Sequence, residues 1–350
     1  MIATQFNPMR SPRILSFCQR ATKASMANAL SQNGSKMSAF EQKIHEKFSI
    51  SKIANDVFRP NIVADACRQQ LPKIGYGGLL SAQALASADS TVPSDSKAHS
   101  LNNYFFLPID TDQEISLSVS RLRDSSSFNT RIIEAHQNDQ LVYTAIASYH
   151  SGNKPGAIHE SKAPNVPEPN EFRDLGIELS EALQKHQNGE RTLPKSIVRR
   201  MVDYDARVQT HSDSIIEMRA VDLDRYLGLK IVEPPVKAYF WLKTRTPLSS
   251  DDQKLHRWIL TYSIDSMCPD SALRPHFGLE FVISFGATIS YNLKYHRSFR
   301  ADEWMLLEFE SDISVDSRLF TRGRVWQNQQ IIASFDSEIL IRTKGTPSTI

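Results

Sequence analysis

Residues 100–149 align with residues 290–339 without a gap, so the fold must hold one structural unit twice. The shift is 190 residues, and it sets Ser100 on Ser290, Asn102 on Asn292 and Asp112 on Asp302. Its best stretch sets His136-Gln137-Asn138-Asp139-Gln140-Leu141-Val142 on Trp326-Gln327-Asn328-Gln329-Gln330-Ile331-Ile332. Identity elsewhere is low, but a helix-like segment precedes the repeat in both copies.

Each copy predicts a four-stranded meander. Val, Ile, Phe and Tyr recur with alternation, as in Ile115, Leu117 and Val119, which are separated by serines. The first meander is expected over 100–107, 115–122, 128–137 and 140–149, with Asn138-Asp139 as a tight hairpin turn. The second is expected over 286–295, 304–311, 317–326 and 330–342, after strands near 215–219 and 238–246. The first helix, Leu79–Ala88, is entered through Tyr76-Gly77-Gly78 and has no breaker. The second, Gln253–Met267, follows the capping cluster Ser249-Ser250-Asp251-Asp252 and places Leu255, Trp258, Ile259 and Tyr262 at helical spacing. A helix followed by an antiparallel sheet, repeated once, is an α+β arrangement. Two such units can join their sheets edge to edge and so remove exposed edges. A β-sandwich is the alternative, but it leaves two central helices unexplained.

The 350 residues, 40% of them hydrophobic, suffice for two units of ordinary domain size. We expect an N-terminal unit over 46–150, a proline-marked linker over 151–210 with a short helix near Asp174–His186, and a C-terminal unit over 211–345. Residues 1–45 read as a disordered or targeting arm. Its first 40 residues carry Arg10, Arg13, Arg20, Lys23 and Lys36 but no Asp or Glu, a composition that suits a mitochondrial transit peptide or an arm with no address. The rest holds 36 basic and 39 acidic residues, so nothing favours nucleic acid. Cys18, Cys67 and Cys268 form no CxxC pair, which argues against a disulfide framework or cysteine zinc site and for a reducing, intracellular compartment. No apolar run reaches the roughly 18 to 20 residues that span a bilayer. The ending Thr346-Pro347-Ser348-Thr349-Ile350 is not the Ser-Lys-Leu peroxisomal signal, which leaves mitochondrion or cytoplasm.

Several segments together resemble the thioesterase II family of acyl-CoA thioesterases. Tyr76-Gly77-Gly78-Leu79-Leu80-Ser81-Ala82-Gln83-Ala84-Leu85 resembles its aromatic-Gly-Gly-Gln helix start. His99-Ser100-Leu101-Asn102-Asn103-Tyr104-Phe105 resembles its His-Ser-Leu strand, and Arg121-Leu122-Arg123-Asp124-Ser125-Ser126-Ser127-Phe128 its Arg-x-Arg-Asp-Gly-x-Ser-Phe segment. In the second half, Ile216-Glu217-Met218-Arg219, Trp241-Leu242-Lys243, Leu255-His256-Arg257, Ala287-Thr288-Ile289, Tyr295-His296-Arg297-Ser298-Phe299 and Asp302-Glu303-Trp304 follow in the family's order. The resemblance covers about 58–149 and 216–342. It implies a double hotdog: two helix-wrapped antiparallel sheets fused into one.

Thioester hydrolysis needs a held water, a group to take its proton, and donors for the developing oxyanion. The resemblance implies a carboxylate at Asp265, a hydroxyl at Thr288 and a third partner at 337. There the family's Val-Gln-Glu-Gly is Asp336-Ser337-Glu338-Ile339, so Ser337 replaces a longer Gln. Ser290 likewise replaces an acidic residue that is common after the Thr. Backbone N–H groups at Gly77, Gly78 and Leu79 are the candidate oxyanion donors, since glycine allows close approach and a helix N-terminus favours negative charge. Each residue has a plainer reading: Asp265 as a helix-end carboxylate, Thr288 as an ordinary strand residue, Ser337 as packing, and the glycines as a helix-entry turn. His99 and His296 are not spaced as a metal pair and read as structural. Neither a Gly-x-Ser-x-Gly elbow nor a phosphate loop is present.

The resemblance thus implies a cofactor-independent hydrolase of acyl-CoA or of an acyl thioester on a carrier protein. It also allows a homo-oligomer. Two alternatives stay open: a hotdog hydratase, dehydratase or product-release enzyme, and a non-catalytic acyl-thioester binder prompted by Ser337. Acyl length is left open.

Overall fold

The computed structural model describes residues 37–350 except 64–65, 69–70, 153–155, 196, 199–200, 202–213, 231–232, 269–272, 274–281 and 345–350. The transit-peptide reading and the C-terminal pentapeptide lie outside these residues, as does Cys18. The fold below is that of the compact unit Phe40–Ile350.

One sheet of twelve strands runs through this unit. Its first half is β1 (Ile50–Ala54), β2 (Val57–Pro60), β5 (Lys97–Phe105), β6 (Ser116–Asp124), β7 (Phe128–Gln137) and β8 (Gln140–His150). Its second half is β9 (Ile216–Ala220), β10 (Val236–Thr244), β11 (Val282–Tyr295), β12 (Met305–Val315), β13 (Arg318–Gln327) and β14 (Gln330–Lys344). The spatial order is β1-β2-β6-β7-β8-β5-β11-β14-β13-β12-β10-β9. A separate ribbon, β3 (Ala66–Arg68) with β4 (Leu71–Gly75), leads into the first central helix.

The 190-residue repeat is built into the register. At the β5–β11 seam Asn102 pairs with Asn292, Leu101 with Leu293 and Asn103 with Tyr291. Because Asn102 and Asn292 are also equivalent in the repeat, a pseudo-two-fold axis passes between them. The hairpin turns obey it: Asn138 and Asp139 have φ of 49° and 61°, and Asn328 and Gln329 have 51° and 61°. Left-handed backbone at both central residues matches the twist of the flanking strands. Gln137 brackets the backbone of Asp110 and Gln327 that of Arg300, again 190 residues apart.

Two helices lie on the concave face. In α2 (Gly77–Asp89) every residue from Gly78 onward is buried, which accounts for its small, apolar composition. In α5 (Gln253–Asp265) Leu255, Ile259, Leu260 and Ile264 are buried. The Asp252 carboxylate caps α5 by accepting from the Lys254 amide at 3.0 Å. The helices run antiparallel, with Gly78 at Asp265 and Asp89 at Trp258. Leu101, Tyr143, Tyr149, Tyr291, Leu293, Phe309 and Phe335 pack beneath them from the sheet. This is the double hotdog, and no sandwich is formed.

Residues 39–45, expected in the arm, belong instead to α1 (Ala39–Phe48). Its buried Glu41 accepts from the amides of Ser249 and Ser250 and from the Ser249 hydroxyl, which ties it to the loop before α5. Within the expected linker, α3 (Leu175–Gln187) begins one residue after its Asp174 cap. Glu160 pairs with Arg297, Arg219 donates to the Pro169 and Phe172 carbonyls, and Trp241 donates to that of Pro167. The described part of the linker is therefore pinned to the second half. The short α4 (Leu223–Tyr226) follows β9. No helix among the described residues is long and apolar enough to cross a membrane.

Candidate active site

Asp265 ends α5 and is 5% exposed. The Thr288 hydroxyl donates to its Oδ1 at 3.1 Å, and the Gly78 amide at the start of α2 faces the carboxylate and favours its ionised form. Burial pushes its pKa up to about 6, partly offset by these two donors. A carboxylate so tuned is ionised at neutral pH yet basic enough to accept a proton.

Thr288 reaches Asp265 through a defect in β11. From Tyr291 to Tyr295 the odd-numbered residues face the helices, as the burial of Tyr291, Leu293 and Tyr295 shows. Strict alternation would carry Ile289 inward and Thr288 outward. A bulge intervenes: Thr288 pairs with Ile339 and Ser290 with Glu338, so Ile289 is the extra residue. The phase shift turns the Thr288 hydroxyl toward α5. An equivalent bulge lies between Ala98 and Ser100 in β5.

The glycines hold the helix ends close. A Cβ on Gly77 would lie 3.2 Å from Asp265 Oδ2 and 3.0 Å from the Phe105 ring. A Cβ on Gly78 would lie 2.7 Å from the Tyr262 carbonyl oxygen. The Leu79 amide, expected to serve an oxyanion, already donates to the Tyr76 carbonyl at 3.2 Å. That bond is the ordinary first-turn bond of a helix and removes Leu79 as a free donor. Ser337 is fully buried in β14, and its hydroxyl donates to the Ser290 carbonyl at 3.0 Å. So the structure joins Asp265, Thr288 and Gly78, sets Gly77 beside them, and points Ser337 at backbone.

Sequence reasoning missed Asp89. The central helices are each 13 residues long, and Asp89 ends α2 as Asp265 ends α5. Burial also raises Asp89 to about 6. Its surroundings differ. Trp258 Nε1 donates to it at 2.7 Å, and the Tyr149 hydroxyl faces it without closing a full-strength bond. Lys254 reaches back to the Asp89 carbonyl at 3.2 Å. Trp258 and Lys254 thus stand at this junction where a shift of 176 residues puts Ala82 and Gly78 at the other. Ala98 stands where the repeat places Thr288, so this carboxylate lacks a hydroxyl on the neighbouring strand. Aligning the helices separately, at a shift of 176, would have exposed the pair.

His99 and His296 bond Ser148 and Ser334 in turn, as structural histidines do. Among the described residues no three His, Cys, Asp or Glu side chains cluster as a metal site. A cleft of about 220 Å³ lined by Arg173, Glu178 and Val221 includes none of the residues around Asp265.

Comparison with known proteins gives a consistent picture. Residues 68–150 match the family model for the acyl-CoA thioesterase N-terminal domain, and residues 229–345 match that for acyl-CoA thioesterase. The chain is 30% identical over 277 residues to Acyl-CoA thioesterase 2 of Haemophilus influenzae, covering 76% of this chain and 87% of that protein. It is 28% identical over 270 residues to human Acyl-coenzyme A thioesterase 8, covering 77% and 81%. Among solved structures, an acyl-CoA thioesterase II of Mycobacterium marinum superposes with a TM-score of 0.66 at 23% identity, covering 88% of this chain and all of that one. A hot dog fold protein of Alicyclobacillus acidocaldarius superposes with a TM-score of 0.61 at 13% identity, covering 87% and 99%.

Proposed function

The chain belongs to the acyl-CoA thioesterase family, and on that premise we infer that it hydrolyses acyl-CoA thioesters with Asp265 as general base. The observation that carries the site is a buried carboxylate bonded to a strand hydroxyl and faced by a helix N-terminus.

In this reading the thioester carbonyl lies at the start of α2, its oxygen toward the Gly77 amide. Water sits against the Asp265 carboxylate, beside the Thr288 hydroxyl. Asp265 takes a proton as the water oxygen bonds to the carbonyl carbon. Negative charge collects on the carbonyl oxygen, where the helix end favours it. Collapse breaks the carbon–sulfur bond, and the proton held by Asp265 passes to the leaving thiolate. The products are free acid and thiol, and Asp265 returns to its ionised form. The Gly78 amide faces the base from behind and favours its ionised form. Ser337 supports β11 from below, and its hydroxyl does not touch the water.

Incubating the purified protein with acyl-CoAs of graded chain length and following thiol release tests the activity. Background release at every length would overturn it. One observation favours a second reading, a non-catalytic acyl-thioester binder: Ser337 offers the water no third partner. Binding of acyl-CoA without thiol release is its signature. We keep the division into units over 46–150 and 211–345 with a linker over 151–210, and the mitochondrial address, as proposals.

A further inference from the structure

The Tyr76 side chain spans the junction of the two central helices. Its backbone is the N-cap of α2, with φ −82° and ψ 121°, and its carbonyl accepts from the Leu79 and Leu80 amides. Its phenol lies at the far end of α5. The hydroxyl donates to the Tyr262 carbonyl at 2.5 Å and accepts from the Ser266 amide at 2.9 Å. Tyr262 and Ser266 flank Asp265 on the last turn, where helix carbonyls otherwise lack partners. The Tyr76 and Tyr262 rings meet edge to face, with centroids 5.1 Å apart at 89°. Gly78 makes the crossing possible, because a Cβ there would lie 2.6 Å from the phenol oxygen.

We propose that Tyr76 is a positioning residue for Asp265, a tether that fixes the last turn of α5 on the first turn of α2. It rests on Asp265 being the base. One residue starts the helix whose Gly78 amide faces the carboxylate, and the same residue anchors the turn that carries the carboxylate. Donor and acceptor are thus held to one frame. Among the described residues no such tether serves Asp89, whose place at the other helix junction is fixed by Trp258 and Lys254.

Tyr76→Phe keeps the ring and removes both bonds of the phenol. The freed turn loosens the Thr288 bond and the approach of the Gly78 amide, both of which favour the ionised carboxylate. The acid limb of the pH–rate profile should move to higher pH, and kcat should fall about ten-fold through lost orientation of the base, with KM little changed. Tyr149→Phe is the control, since it deletes a buried phenol on the Asp89 side and should leave the acid limb in place. Asp265→Asn completes the panel. If Asp265→Asn is inactive and Tyr76→Phe leaves kcat and the acid limb unmoved, or shifts them no more than Tyr149→Phe does, the tether is refuted. If Asp265→Asn keeps wild-type rates, the site reading itself fails. Should Tyr76→Phe not fold, amide exchange on the wild-type protein decides. Slow exchange at the exposed Ser266 supports the tether, and exchange as fast as an open turn refutes it.

Discussion

Replacing Asp265 by Asn should make the protein inactive and more stable at once. The carboxylate rises from an ordinary 3.8 to about 6 on folding. About two pH units at 1.36 kcal/mol each amount to ~3 kcal/mol of strain in the folded, ionised state. Asn carries no charge, so that strain vanishes. Its amide group can accept from only one of the Thr288 and Gly78 donors, which returns about 1 kcal/mol. The net gain is about 2 kcal/mol, a melting shift of a few degrees for a unit of this size. The pH dependence is the sharper signature. Below about pH 4 the wild-type carboxyl is protonated both folded and unfolded, so the two proteins should differ only by the amide mismatch. Between about pH 4 and 6 the unfolded wild-type chain ionises first and its stability falls; above that range the gap is constant. Denaturant titrations at pH 3.5, 5 and 8 read this directly. Thiol release should drop ~10²- to 10⁴-fold, the usual contribution of a general base. A variant with a flat stability gap across pH, or with kcat within about ten-fold of wild type, would refute the assignment.

Thr288→Val should lower kcat about ten-fold and shift the acid limb upward, because a donor to the ionised carboxylate is lost, and Thr288→Ser should restore both in the same thiol-release assay. Asp89→Asn should leave kcat within about two-fold of wild type while gaining stability above about pH 6, which melting curves at two pH values would show. Ser337→Ala should cost about 1 kcal/mol in denaturant titration through its lost bond to the Ser290 carbonyl, with thiol release unchanged. Arg131 is fully buried and donates to Thr91, to the Arg123 and Thr130 carbonyls and to Asp124, so Arg131→Met should cost about 1–3 kcal/mol in the same titration through the acceptors left unpaired.

The strands of both meanders and both central helices were legible because their signals are local. Phe128–Gln137 was placed to the residue, and the Asn138-Asp139 turn declared itself by composition. β1 and β2 escaped because short edge strands carry too few residues to show a period, and α1 escaped because its buried carboxylate at Glu41 looks polar until Ser249 and Ser250 are seen beside it. Asp265 and Thr288 came from motif order, not from chemistry visible in the chain. What turns Thr288 inward is one unpaired residue, Ile289, and no alternation pattern announces a bulge. The Tyr76 bridge joins positions 186 and 190 residues apart, beyond any local signal.

The seam at Asn102 and Asn292 has a genetic consequence. Were the two halves separate copies of one short chain, every substitution would appear on both sides of the axis. A tryptophan placed to plug one helix junction would plug the other, and a threonine won by one would burden its twin. Joining the halves in a single polypeptide lets position 98 keep an alanine while position 288 keeps a threonine. One half is then free to drift toward scaffold while the other is held to chemistry. An inhibitor that reports on Asp265 should therefore titrate one equivalent per chain, although the backbone offers two look-alike corners.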